Sequence, residues 1–141
     1  MSLRSAIDQI QTALVERVEG LSQRTAPVDI PGQAAGWPMV ICYPETGNWG
    51  SGPAGAVTSL HNIVIELHVQ EAKSLEAAFR EALRYSYTVP LALYRAFEAG
   101  ELSAVQTWRQ ISYRFGAMKY GGVETVGWKF TIEDAKVQET L

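Results

Sequence analysis

Apolar and polar positions follow two rhythms along the chain, one helical and one extended. Leu3, Ile7, Ile10, Leu14, Val18 and Leu21 recur at spacings of three and four, while Arg4, Asp8, Gln11, Glu16 and Arg17 fall mostly off that stripe. This is an amphipathic helix with one buried face. Ser2 is placed to cap its start and Gly20 to stop it in a left-handed conformation. Residues 24–38 hold three prolines and two glycines and read as a loop, with a brief extended piece at 28–30. The apolar, β-prone run MVICY at 39–43 reads as a strand ended by Pro44. Residues 44–56, with four glycines and two prolines, read as a long surface loop. Loops of that length are uncommon in small domains unless they are functional or mobile.

From Thr58 the period becomes two. His61, Ile63, Ile65, Leu67 and Val69 share one face of a strand, and Leu60, Asn62, Val64, Glu66, His68 and Gln70 share the other. Ser74 opens a second helical stretch, SLEAAFREALRYSY, with Leu75, Ala78, Phe79, Ala82 and Leu83 on its inner side. Pro90 suits the first position of a further short helix closed by Gly100. Two more alternating strands follow, at 104–115 and 123–133, joined through the glycines of GAMKYGG. Residues 134–141 read as a short polar tail.

The pattern predicts a single α+β domain over 1–141. Its sheet is mainly antiparallel and four-stranded, packed by an N-terminal helix and a central helical pair, in the order α-β-β-α-α-β-β. A domain of this length has a diameter of roughly 35–40 Å. A twelve-residue strand reaches about 40 Å. Either the strands overhang the domain towards a neighbouring subunit, or they are strongly twisted and a little shorter than the pattern suggests.

Composition narrows the function. The 141 residues are 47% hydrophobic and 19% charged, with 12 basic against 15 acidic residues and a net charge of -3. No run of ~18 apolar residues is present, so no membrane span is expected. The opening MSLRSAIDQIQ lacks a basic segment followed by an apolar block, so no secretory leader is expected either. The single cysteine, Cys42, suits a reducing compartment, and the charge balance offers no cationic footprint for nucleic acid.

Candidate chemistry is sparse. Gly50, Gly52 and Gly55 form a G-x-G-x-x-G, but it leads into a strand and Pro53 removes an amide, so a dinucleotide fingerprint is not expected. His61 and His68 stand at an odd spacing, which sends them to opposite faces and prevents joint chelation. Cys42 reads as core. No catalytic, cofactor or metal constellation emerges, and the chain is expected not to be an enzyme. Aromatic residues at strand and loop ends are the stronger signal: Trp37 and Trp49 beside glycine or proline, and Tyr113, Phe115, Tyr120 and Trp128 in the final hairpin. Trp128 and Phe130 read as core, since they alternate with Val126 and Ile132. Trp49 reads equally as core or as an interface anchor.

With these elements in place, the chain resembles the tail terminator (tail completion) proteins of long-tailed bacteriophages. The resemblance runs through the opening helix to Leu21, the P-x-V-I-x-Y-P-E stretch at 38–45 and the glycine-rich loop. It continues through HNIVIELHV, the helical pair and the closing YRFGAMKYGGVETVGWKF at 113–130. It implies a structural virion protein at the tail–neck junction, assembled from the host cytoplasm. Such a protein forms a homo-oligomeric ring, a hexamer, on the tail tube protein and meets the head-side connector or stopper protein. DNA only passes through the ring. It implies no catalytic residue and no cofactor. Partner contacts are expected at Trp49, at Gly47, Gly50, Gly52 and Gly55, and at Tyr120. Two other readings are compatible with the residues. One is a head-side stopper or adaptor of the same neck. The other is a small-molecule-binding or enzymatic α+β domain with a pocket near Cys42, His61 and Trp128.

Overall fold

A computed structural model describes residues 2–21, 37–51, 57–71 and 75–139. The expected extended piece at 28–30, the cap at Ser74 and the loop glycines Gly52 and Gly55 lie outside these residues. The element order is α1 (Leu3–Arg17), β1 (Met39–Ser51), β2 (Val57–Glu71), α2 (Leu75–Leu83), α3 (Tyr85–Glu98), β3 (Val105–Thr107), β4 (Gln110–Tyr120) and β5 (Val123–Glu139). It is the predicted α+β arrangement of helix, strand pair, helix pair and strands.

The first helix forms as its spacing requires. The Ser5 amide donates to Ser2 Oγ at 3.2 Å, and Ala6, Ile7, Ile10, Ala13 and Leu14 are buried. The helix ends at Arg17, and Gly20 follows with φ +92° against the Tyr85 hydroxyl. Tyr85 and Val89 continue that core from α3.

All strand pairs are antiparallel. β2 is flanked by β1 and β5, and the far edge of β5 carries both β3 and β4. Cys42, Ile65 and Phe130 align across the sheet, as do Val40, Leu67 and Trp128. These residues face the helices, because strand side chains alternate and both rows belong to the main core. The opposite face carries a smaller cluster of Met39, Ile41 and Tyr120, with Trp37 and Tyr43 packed against it. α1 packs on β1 and α3, and α2 packs on β2 and β5.

Five boundaries differ from the sequence reading. β1 does not end at Pro44. It runs to Ser51, pairing with β2 to Val57, so the predicted loop is mostly strand. Proline is tolerated there because β1 is an edge strand, and the ladder slips between Pro44 and Thr46. The predicted strand at 104–115 is split around Trp108 and Arg109 into β3 and β4, which gives five strands among the described residues where the pattern gave four. β4 then continues to Tyr120, where Gly121 and Gly122 make the turn with φ of 58° and 81°. The break between the central helices falls at Arg84, and Pro90 lies inside α3 rather than at its start. Residues 134–139, read as a polar tail, extend β5 past a left-handed Asp134, with Ala135 and Val137 buried. At about 3.3 Å per residue, the 17-residue β5 covers roughly 55 Å, more than the ~35–40 Å diameter of a domain this size.

Candidate assembly surfaces

The outer half of β1 runs along the sheet edge beside β2 residues that pair on their other side with the end of β5, and it is exposed from Pro44 to Ser51. Trp49 pairs with Ser59 and is 58% exposed, so the structure favours its reading as a surface residue. Its indole stands edge-on to the buried His61 ring, with centroids 5.1 Å apart. Ser59 Oγ donates to the Val137 carbonyl at 3.1 Å, so His61 Nε2 donates to Ser59 Oγ at 2.7 Å. Gly47 pairs with His61, and a Cβ there would come within 2.6 Å of both His61 Nδ1 and the Leu60 carbonyl oxygen. Its glycine is demanded by that close approach. A Cβ at Gly50 meets only Thr58 Oγ1, at 4.0 Å.

Tyr120 does not join Trp49. It is 8% exposed and sits on the sheet face away from the helices, its ring 5.3 Å from that of His68. The sequence placed it in an exposed turn. Because β4 extends to residue 120, its side chain alternates inward instead. Beside it lies a closed polar network. His68 Nε2 donates to Glu66 Oε1 at 3.0 Å, His68 Nδ1 contacts Thr125 Oγ1 at 2.7 Å, and the Tyr43 hydroxyl donates to Glu66 Oε2. Hydrogen bonds from His68 and then Tyr43 hold the Glu66 carboxyl below the usual carboxylate range, against an opposing effect of burial. Burial, and then the bond to Glu66, push the Tyr43 phenol up. The two histidines occupy opposite faces, as their odd spacing predicts. Among the described residues no group of His, Cys, Asp or Glu is arranged to hold a metal ion. Cys42 is buried, and desolvation pushes its thiol up, away from the reactive thiolate.

A third surface was not anticipated. Phe79 and Leu83, expected inside with Ala78 and Ala82, are exposed, and so are Tyr87, Tyr94, Phe97 and Tyr113. Phe79 meets Phe115 on β4 edge-on, at 5.0 Å between centroids. Phe115 and Tyr113 in turn lie against Trp128, whose Nε1 donates to the Ala82 carbonyl at 2.8 Å. Further along, Tyr94 and Phe97 cover Trp108. The signal was present in the sequence. α2 and α3 carry two apolar stripes, one mostly of small residues and one of large, and only the small one fits close against a neighbouring layer.

Two open grooves flank the paired Arg17 and Glu101 side chains. One, of about 290 Å³, is lined by Arg17, Thr88, Leu91, Ala92 and Arg95. The other, of about 250 Å³, is lined by Asp8, Gln9, Thr12, Ala13, Glu16 and Glu101. Neither touches Cys42, His61 or Trp128, where the alternative small-molecule reading places its pocket. No helix among the described residues is long and apolar enough to cross a membrane. Comparison of the chain with protein-family models and with curated proteins finds no match.

Proposed function

We propose that the chain is a structural assembly protein of the bacteriophage tail. It caps the tail tube as a ring of identical subunits, a hexamer, ends tube polymerisation and joins the tail to the head. The observation that carries this reading is a sheet whose outer strands, β1 at one edge and β3 with β4 at the other, have no further strand partner among the described residues. A free strand edge offers a row of backbone donors and acceptors to another chain. Two different edges on one subunit suit the head-to-tail contacts from which closed rings are built. The resemblance of the 38–45 and 113–130 segments to tail terminators supplies the biological setting. One face of the ring meets the tail tube protein and the other the head-side connector. The net charge of -3 suits a conduit through which DNA slides without being gripped.

A phage deleted for this gene tests the proposal. Tails of uncontrolled length that fail to join heads are expected. Normal tails joined to heads without the protein would overturn it, and a virion reconstruction placing the protein on the head side of the neck would assign the stopper role instead.

A further inference from the structure

In α2 and α3 the side chains are arranged against the interest of a lone subunit. The inner stripe includes Ala78, Ala82, Ala92 and Ala96, all buried. The outer stripe of Phe79, Leu83, Tyr87, Pro90, Tyr94 and Phe97 advances at three- and four-residue steps, and its aromatic and leucine members are 37–68% exposed. With Tyr113 on β4 they leave roughly 600 Å² of side chain in water. That is the upper end of the ~300–600 Å² that a typical monomer exposes as its largest apolar patch. It also approaches the ~800 Å² that one partner contributes to a standard interface.

Charge indicates what covers it. The 290 Å³ groove on α3 presents Arg95, which has no side-chain partner among the described residues, and Arg17, which is neutralised by Glu101. Beyond that ion pair, the groove along α1 presents Asp8 and Glu16, neither of them ion-paired among the described residues. The same chain thus carries a cationic, aromatic flank on α3 and an anionic flank on α1. α1 packs on α3 and β1, and its Gln9 side chain bonds Ser103 Oγ at 3.0 Å and the Ala104 amide at 2.9 Å, so the Asp8–Glu16 groove runs beside the segment that leads into β3. A contact that sets the α3 face of one copy against the α1 flank of another brings Arg95 to Asp8 and Glu16.

We propose that the α2–α3 aromatic face and the Arg95 groove dock a second copy of this chain, receiving the Asp8–Glu16 flank of its α1. This names the contact within the proposed ring and rests on that reading only for the number of copies. The test is sedimentation equilibrium of the full-length protein up to about 500 μM. The wild-type chain is expected to self-associate. Tyr87→Ser with Tyr94→Ser, Arg95→Glu alone, and Asp8→Lys with Glu16→Lys are each expected to raise the dissociation constant about tenfold or more, with unchanged circular dichroism. The decisive arm is an equimolar mixture of Arg95→Glu with the Asp8→Lys/Glu16→Lys variant. Every head-to-tail contact in an alternating assembly then pairs opposite charges, so association returns.

A wild-type chain that stays monomeric overturns the inference. So does association that these variants leave unchanged, or a mixture that stays dissociated. The deletion phage separates the two proposals: normal tails with the expected association behaviour overturn the tail role and leave the contact standing.

Discussion

Glu66 is the residue on which the non-helical face of the sheet turns. Its folded carboxyl titrates below the ordinary value of about 4.5, so the stability it contributes is full above that value and is lost as pH falls through the folded value. Urea midpoints measured between pH 7 and pH 2 are therefore expected to fall on the acid side. In Glu66→Gln that dependence is expected to flatten, with a loss of about 1–3 kcal/mol at pH 7 as the charge-assisted bonds weaken. Gly127 makes the tightest backbone approach among the described glycines, since a Cβ there would lie 1.8 Å from the Leu67 carbonyl oxygen. Gly127→Ala is expected to cost about 3 kcal/mol or more, because backbone in the sheet interior must move. Trp49→Ala is the contrasting case. The indole touches His61 at its edge and is largely in water, so thermal unfolding of the isolated chain is expected to shift by less than about 1 kcal/mol. Head–tail joining in a complementation assay is expected to drop. A large stability loss would mark Trp49 as core instead.

At the scale of elements, the β4–β5 hairpin is set by two consecutive left-handed residues, Gly121 and Gly122. Positive φ at both central positions is the type I′ geometry that matches strand twist. Gly121→Asn is expected to leave chemical-denaturation stability unchanged or raise it by up to about 1 kcal/mol, because asparagine accepts this conformation and narrows the unfolded ensemble. Gly122→Val is expected to lower it by about 1–2 kcal/mol, since a β-branched residue resists positive φ. The elements themselves were legible in the periodicity, but their ends were not. Pro44 looked like a strand stop because a proline cannot serve a central ladder. Only the pairing order reveals that β1 is an edge, where it can stay. The polar character of 134–139 likewise hid a strand, whose inward positions Ala135 and Val137 are too few to make an alternating signal.

At the scale of the molecule, two surfaces stay outside the shared core. α2 and α3 bury Ala78, Ala82, Tyr85, Ala92 and Ala96 but leave Phe79, Tyr87, Tyr94 and Phe97 exposed, and β1 is exposed from Pro44 to Ser51. The proposed contact between copies would cover the first of these surfaces. Trp49 and the 47–55 segment were picked out from the sequence by residues that rarely sit in loops without a use. Gly47 turned out to be required by His61, and Tyr120 by its burial against His68. The α3 surface went unseen, because Phe79 and Leu83 share a helical stripe with Ala78 and Ala82 and were assigned to the same interior.

What the sequence determined alone was periodicity: which segments are helix or strand, and that Trp128, Phe130, Ile63 and Ile65 lie inside. These follow from local geometry, since a period of two or 3.6 specifies a face without reference to the rest of the chain. What only the tertiary structure decided was which of two apolar faces is the inner one, and which strands are edges. Those depend on how close two layers can approach and on who pairs with whom, which are relations between distant segments. They turned Tyr120 inward, left Tyr87 and Tyr94 in water, and put β1 at one sheet edge and β3 and β4 at the other.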